Sequence, residues 1–456
     1  MIAAYSIPLL ISTCFMLVIF KNEKIIKTLV ILSIFISFCF LIVSSLDVFN
    51  YGTETFAVSN WEAPFGIILV LDKFSSTIAS LILFLSLMIA IFSFHIVKER
   101  VKEFSTLLLL GVVGSLGIVI TGDIFNMFVF TEIMNIATYA LTAFNMKKEG
   151  LEAAFKYLIV GSITATLMLI SISLLYSNLG TLNIADIINK INLGDKSVNT
   201  IFLMFLLSFC IKIAVFPFYI WKPDVITGSL EPIAAFFIGV VTTTSIYVII
   251  RVLYTILGVY YLPWLSILAI FSMIIGAFLA ILQDDIKRIL AYGSISQLGY
   301  ILLAFSSGLV FQGLYHLVNN AVIETLLFLS IGTMTLHKNK IEKISMYGFL
   351  LGALSLTGIP PLGGFFSKFF IITGLLENNF FIYAVVSSFI SIITLLYYMK
   401  IYFMIKKGEK KNYWPIIILV IFVLLLSLAS IWSQIFKGIE VDLLARNKYV
   451  SEVLGP

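Results

Sequence analysis

Long runs of uncharged, apolar residues constrain this chain more than any other feature. Two examples are TLVILSIFISFCFLIVSSL, which begins at Thr28, and NYWPIIILVIFVLLLSLASIW, which begins at Asn412. Each reaches the length of about 18 apolar residues that marks a membrane-spanning helix. Similar runs fill nearly all of the 456 residues, of which 61% are hydrophobic and 12% charged. The sequence therefore predicts an all-α polytopic membrane protein and excludes a soluble globular domain.

Fourteen membrane-spanning segments are predicted from windows of about 19–25 residues. They cover residues 3–20, 28–46, 73–97, 104–121, 124–145, 153–177, 199–221, 231–256, 263–283, 289–309, 313–336, 345–376, 380–405 and 413–435. We expect one membrane domain over residues 1–456, divided into N-terminal helices (1–103), two five-helix halves (104–256 and 263–405) and a last helix with an outer tail (413–456).

The basic residues between these spans alternate. One set of loops contains lysines and arginines such as Lys21, Lys98, Lys147, Lys222 and Lys287, whereas the other set is nearly free of them. The positive-inside rule places the basic loops in the cytoplasm. Both termini are then predicted to lie outside the cell membrane, with a prokaryotic plasma membrane as the expected location.

Soft metal ligands are too sparse for a haem, iron–sulfur or zinc site. The three cysteines and three histidines stand singly, with no ligand spacing between them: Cys14, Cys39, Cys210, His95, His316 and His337. We therefore expect no metal, no cofactor and no redox or catalytic centre within this chain. No nucleic-acid partner is expected either.

Ionisable residues inside the predicted spans are candidate functional groups, because a charge at the centre of a bilayer costs about 2.5–3.5 kcal/mol. The candidates are Glu132, Lys156, Lys212, His316, Glu324 and Lys368. The alternatives are static interhelical salt bridges for Glu132, Lys212 and Lys368, a packing role for His316, and a local pair with Glu152 for Lys156. Arg251 is closer to a span end, where it is expected to extend towards the interface.

Two of these lysines lie beside helix breakers. Pro217 follows Lys212, and Pro360 and Pro361 precede Lys368 together with several glycines. Proline removes a backbone donor, and the freed carbonyls are tolerated in lipid only where protein or water satisfies them. A broken helix beside an ionisable group is typical of ion sites in transporters with inverted repeats. We predict discontinuous helices 7 and 12, one in each half, related by inverted topology.

Six motifs in the order found here resemble one family of membrane proteins. They are DIFNMFVFTE, EAAFKYLIVGS, KIAVFPFYIWKPDVITGSLEP, QDDIKRILAYGSISQLGY, YHLVNNAVIETLLFLSIG and GIPPLGGFFSKF. The chain resembles the antiporter-like subunits of respiratory complex I, Mrp-type cation/proton antiporters and energy-converting membrane-bound hydrogenases. The resemblance, which covers residues 65–405, implies a fourteen-helix fold with two inverted five-helix repeats.

The resemblance also implies roles for individual residues. Glu132 matches the glutamate of the family's fifth helix, and Lys212 matches the central proton carrier of the first half-channel. His316 matches a histidine on the hydrated axis, and Lys368 matches the ionisable residue of the second half-channel. Three positions depart from the family pattern, namely Thr243 for a lysine in helix eight, Asn320 for a histidine and Glu324 for a lysine.

Three functions remain open at this stage. The first is a proton-translocating subunit of a larger, redox-driven complex that contains further antiporter-like subunits. The second is a subunit of an Mrp-type Na⁺/proton antiporter. The third is a membrane scaffold of the same fold that does not pump. The partners expected are other membrane subunits, the lipid bilayer, and protons or Na⁺, and Glu324 is a candidate partner for Lys368.

Overall fold

The computed structural model describes residues 1–61, 63, 65–192, 195–258, 262–337, 340–408 and 413–454, and these residues are nearly all helical. The N-terminal part contains α1 (Ser6–Ile19), α2 (Glu23–Tyr51) and α3 (Lys73–Ile96). A short antiparallel hairpin of β1 (Glu54–Ala57) and β2 (Ile68–Leu71) connects α2 to α3. The side chain of Asp72 caps the first turn of α3.

The described residues of the first predicted half begin with the following helices: α4 (Val101–Ile120), α5 (Ile124–Thr142), α6 (Lys148–Leu179), α7 (Ile184–Lys190), α8 (Lys196–Lys212), α9 (Trp221–Gly228) and α10 (Glu231–Phe236). A π-helical turn (Phe237–Thr242) leads from α10 into α11 (Thr243–Ile250), and a second one (Arg251–Ile256) follows. Residues Glu231–Ile256 thus form one span, and it is buried along its whole length.

The second predicted half has the following helices: α12 (Pro263–Leu282), α13 (Ile286–Ser306), α14 (Val310–Leu336), α15 (Lys343–Thr357), α16 (Gly363–Glu377) and α17 (Phe381–Met404). Two-residue strands β3 (Lys340–Ile341) and β4 (Lys406–Lys407) pair in parallel. The chain continues with α18 (Trp414–Leu426), α19 (Ala429–Leu444) and α20 (Arg446–Leu454).

The predicted spans all have helical counterparts. Within the described residues, eleven helices are long and apolar enough to cross a membrane. The other three predicted spans are each divided into two shorter helices, namely α8 and α9, α15 and α16, and α18 and α19. The discontinuities predicted for helices 7 and 12 are therefore confirmed.

The fourteenth span was wrongly predicted as one continuous helix. Helices α18 and α19 are bent by 81° at a break between Leu426 and Ala429. The tail is helical and packs on the rest of the chain, since Phe436, Ile439 and Tyr449 are buried. Apolar spacing alone could not show this bend, because residues on both sides of it remain hydrophobic.

The break between α8 and α9 begins directly after Lys212. Ala214 has a positive φ of 66°, which an α-helix does not allow. The backbone N–H of Phe216 donates a 2.9 Å hydrogen bond to the hydroxyl of Ser272 on α12. A side chain thus satisfies a backbone group that the break removes from the helical ladder, as the interior of a membrane requires.

The break between α15 and α16 uses glycine where only glycine fits. Gly358 ends α15 in the left-handed region with a φ of 88°, a common helix C-terminus. At Gly364, a Cβ atom would lie 1.9 Å from the backbone oxygen of Ser355. The N–H groups of Gly363 and Gly364 donate to the hydroxyls of Ser427 and Ser355, at 2.9 and 3.1 Å. Protein groups therefore replace the lost helical bonds here as well.

Candidate functional site

Asn135 joins two of the predicted site residues. Its amide nitrogen donates a 2.8 Å hydrogen bond to Glu132 Oε1, and its carbonyl oxygen accepts a 2.6 Å hydrogen bond from Lys212 Nζ. Glu132 and Asn135 are three residues apart on α5 and so lie on one face of it. The carboxylate and the ammonium are therefore connected through one amide, and neither forms a direct ion pair with another described residue.

Lys212 is the last residue of α8 and is only 6% exposed. The negative end of the α8 dipole favours a cation at this position. A cavity of about 10 Å³ beside the lysine is lined by Thr131, Thr164 and Ser208, among others. That volume is close to the room that one water molecule needs. The site thus contains a buried amine, a carboxylate and hydroxyl groups at the start of a helix break.

The second half places Lys368 beside Tyr300 and His316. Lys368 Nζ lies 4.4 Å from the centroid of the Tyr300 ring, and the rings of Tyr300 and His316 are 5.7 Å apart. His316 Nδ1 is 2.9 Å from the hydroxyl of Ser367, the residue before Lys368. Among the described residues, Lys368 Nζ and His316 Nε2 have no hydrogen-bond partner. The aromatic ring of Tyr300 therefore provides the contact that stabilises the Lys368 cation.

Four polar residues share one face of α14. They follow helical spacing and are all buried: His316, Asn319, Asn320 and Glu324. The side-chain oxygens of Asn319 and Asn320 lack a partner within the described part of the chain. The Asn320 side chain lies within hydrogen-bonding reach of Glu324. This face of α14 therefore carries a buried polar stripe whose hydrogen bonds are incomplete among the described residues.

The partner predicted for Glu324 was wrong. Its electrostatic interaction is with Lys222 on α9, and no interaction with Lys368 is found in the described chain. Lys222 itself was predicted to lie in a cytoplasmic loop. It is 1% exposed, because α9 continues the seventh span beyond Trp221. Pro223, which follows Lys222, does not end the helix, because it lies in the first turn of α9, where proline is tolerated.

Lys156 lies in a cluster of charges nearer the surface. It forms 2.8 Å ion pairs with Glu152, as predicted, and with Asp224. Arg288 binds the other oxygen of Asp224 at 3.1 Å. The side chain of Lys156 is 42% exposed. Lys156 thus contacts neither Glu132 nor Lys212 directly, and its role in a proton path stays a prediction.

The prediction that Arg251 extends to the interface was also wrong. Arg251 is 3% exposed and binds Asp72 through two hydrogen bonds of 2.6 and 2.9 Å. The hydroxyl of Tyr247 accepts a further hydrogen bond from Arg251. The guanidinium also stacks 5.4 Å from the rings of Phe74 and Tyr449. The sequence did not indicate this pair, because Asp72 and Arg251 are 179 residues apart.

The remaining predicted positions lie in or near the breaks. Pro217, Pro360 and Pro361 are in the non-helical connections, as expected. Thr243 is buried and begins α11 directly after the π-helical turn. The described residues contain no group of three or more His, Cys, Asp or Glu side chains that could hold a metal ion.

The fold and the site together define a polytopic membrane protein of the antiporter-like class. Residues 121–394 match the family described as NADH:quinone oxidoreductase/Mrp antiporter, TM, and the chain belongs to this family. A Na(+)/H(+) antiporter subunit from Alkalihalophilus pseudofirmus is 33% identical over 392 residues, which cover 81% of this chain and 79% of the relative. An NADH-quinone oxidoreductase subunit from Desulforudis audaxviator is 33% identical over 362 residues, which cover 74% of this chain and 72% of the relative.

Solved structures share the whole architecture. The archaeal membrane-bound sulfane sulfur reductase, a respiratory membrane complex, contains a chain with a TM-score of 0.91 and 26% identity, with 99% of both chains covered. A chain of the Mrp complex from Dietzia sp. DQ12-45-1b has a TM-score of 0.92 and 24% identity, covering 100% of this chain and 99% of its own. At 24% identity, the similarity to the Mrp chain shows only that the two chains share a fold.

Proposed function

We propose that this chain is a proton-translocating, antiporter-like subunit of a larger ion-pumping membrane complex. The observation that carries the proposal is the Glu132–Asn135–Lys212 chain at the break of the seventh span. It combines a buried amine, a carboxylate and an irregular backbone, which is the composition of an ion site in membrane transporters.

The geometry suggests how the first half would release a proton. With α5 in the observed position, Glu132 acts through Asn135 to stabilise the charged form of Lys212. A shift of α5 that breaks either hydrogen bond leaves the ammonium buried without support, and burial then favours the neutral amine. Moving one helix would therefore move one proton. Because such coupling is reciprocal, a proton gradient would also act back on α5.

The second half offers the next proton carriers. His316 and Lys368 are buried around Tyr300 at the break of the twelfth span. The ring nitrogen of His316 and the amine of Lys368 both exchange protons, and Ser367 contacts the histidine at 2.9 Å. We assign these residues, with Glu324, to the second half of the path.

A partner subunit is expected on the outer face of α5. Phe125, Val129 and Ile136 are exposed by 46%, 39% and 64%, and the half-buried Glu132 lies on the same stripe. A carboxylate facing lipid is costly, so another membrane subunit covering this stripe would explain it. The similar solved chains belong to an Mrp complex and to an archaeal respiratory complex. We therefore propose a multi-subunit assembly for this chain, with both termini outside and two inverted halves.

We propose a redox-driven complex as the parent assembly, and the end-to-end match of the sulfane sulfur reductase chain at 26% identity supports it. A second candidate is a Na⁺/proton antiporter, favoured by the 33% identity to the Alkalihalophilus antiporter protein. The two differ in their energy source. A Na⁺ pulse would drive proton movement in vesicles without an electron donor only if the antiporter assignment is right.

The central test is Lys212→Met in the complex that copurifies with this chain in mild detergent. After reconstitution into vesicles, a pH-sensitive dye reports proton movement when the complex is energised by its electron donor or by a Na⁺ gradient. We expect K212M to abolish it, whereas Lys190→Met changes a lysine on the short helix α7 and serves as the control. Unchanged proton movement in K212M would overturn the proposed function.

A further inference from the structure

Lys222 and Glu324 are two buried charges on opposite sides of the junction between the predicted halves. Lys222 lies on α9 and is 1% exposed, and Glu324 lies on α14 and is 3% exposed. Each is the main charged neighbour of the other. A buried charge without an opposite partner is strongly unfavourable. Each side chain therefore accounts for the presence of the other.

Lys222 and Glu324 do not form the close salt bridge that a purely structural pair would form. No direct ion pair joins Lys222 to Glu324, and Lys222 Nζ has no hydrogen-bond partner within the described residues. In contrast, the buried pair of Arg251 and Asp72 makes two hydrogen bonds of 2.6 and 2.9 Å. A buried ion pair stabilises a fold only when its hydrogen bonds are complete. The open geometry of Lys222 and Glu324 is thus poor for stability and suited to a group that exchanges its proton.

Each member of the pair also shares a span with one group of the proton carriers described above. Lys222 is ten residues beyond Lys212, across the break of the seventh span. Glu324 continues the polar face of α14 that begins at His316. On its other side, Glu324 interacts with Tyr397 and Tyr398 of α17. Gln297 of α13 lies 3.5 Å from the Tyr397 hydroxyl, one helical turn from Tyr300.

Resting on the proposed function, we propose that Lys222 and Glu324 form the proton-carrying link between the two halves of this subunit. Once one bridging water or a movement of the side chains brings the two groups into hydrogen-bonding reach, the Lys222 ammonium passes its proton to the Glu324 carboxylate, which leaves a neutral amine and a neutral carboxylic acid. The acid then releases the proton towards His316, and the amine takes up the next proton from the side of Lys212. The first step neutralises both charges together, so it creates no uncompensated charge in the membrane.

The test separates transport from stability. K222M, E324Q and the double variant K222M/E324Q are made in the copurifying complex, with proton movement and the melting temperature both measured. We expect each single variant to lower the rate by at least about tenfold, the scale of a lost acid–base group. Each single variant should also lower the melting temperature, because it leaves one buried charge alone.

The double variant decides between a link and a static bridge. A proton link predicts that K222M/E324Q recovers the melting temperature but stays inactive, whereas E324D, which keeps a carboxylate, retains part of the rate. Near-normal transport by K222M/E324Q would overturn the proposal. Lys190→Met, which removes an exposed lysine paired with Asp186 within α7, is the matched control.

The K212M variant shows whether a negative result contradicts only this inference or also the proposed function. If K212M is inactive while the Lys222 and Glu324 variants transport normally, only the link between the halves is wrong. If K212M also transports normally, the proposed function itself is wrong.

Discussion

The side-chain carbonyl of Asn135 accepts a 2.6 Å hydrogen bond from the Lys212 ammonium. The amide nitrogen of the same side chain binds Glu132, so the position of α5 is transmitted to the end of α8 by one residue. Asn135 is buried, and leucine would fill a similar volume without either hydrogen bond.

Asn135→Leu should therefore disconnect Glu132 from Lys212. We expect proton movement to fall by about tenfold or more, the scale of an acid–base group that loses its partner. The dye assay in reconstituted vesicles measures the effect. Asn178→Leu, at an exposed asparagine near the end of α6, is the control. Equal rates in both variants would show that Asn135 only packs.

Glu132 should react with a membrane-permeant carbodiimide when the chain is isolated. The reagent enters from lipid, and Glu132 lies on the exposed stripe that includes Val129 and Ile136. In the assembled complex a covering subunit should block this reaction. Mass spectrometry of the peptide that contains Glu132 measures the modification, and Glu132→Gln identifies it. Equal labelling in both states would argue against a partner on α5.

Tyr300 should support Lys368 through its ring. Tyr300→Phe keeps the ring 4.4 Å from Lys368 Nζ and loses only the hydroxyl, which donates to the backbone oxygen of Ser387 and lies 2.9 Å from the Ser391 hydroxyl. Tyr300→Leu removes the cation–π contact, which contributes about 2 kcal/mol when desolvated. We expect proton movement in Y300F to stay near normal and in Y300L to fall clearly. A similar loss in both variants would assign the role to the hydroxyl.

Arg251 and Asp72 should behave as a structural pair. Replacing either partner alone leaves a buried charge, which costs about 3–5 kcal/mol. The single variants R251M and D72N should therefore melt at lower temperature in detergent, whereas R251M/D72N recovers much of the loss. Thermal unfolding followed by circular dichroism measures this. Additive losses in the double variant would mean that the two residues act independently.

The sequence predicted the spans and the two breaks because their signals are local. A long apolar run predicts a membrane-spanning helix, and the glycine and prolines at Gly358, Pro360 and Pro361 predict where such a helix is interrupted. The bend at 81° between α18 and α19 was missed, since hydrophobicity continues through it and its only local signal is Ser427.

The partners of charged residues were predicted less well than the residues themselves. The six pathway candidates were chosen for being ionisable inside apolar runs, but Lys222 was counted among the basic residues of the cytoplasmic loops. Its interaction with Glu324 joins two helices that are far apart in the sequence, which is a long-range property. Tyr300 ends one of the recognised motifs, and that position was the signal that could have identified it. Asn135 lay three residues after Glu132, where helical spacing could have indicated a shared face.

The bent C-terminal segment has a practical consequence for work on this chain. Arg446 donates hydrogen bonds to the backbone oxygens of Thr255 and Ile256, the last carbonyls of the eighth span. Tyr449 stacks on Arg251, and Lys73 pairs with Asp442. Residues 429–454 therefore form a C-terminal segment that binds three distant parts of the helix bundle. Truncation within this segment would expose the buried ion pair of Arg251 and Asp72, so an affinity tag should be attached after residue 454.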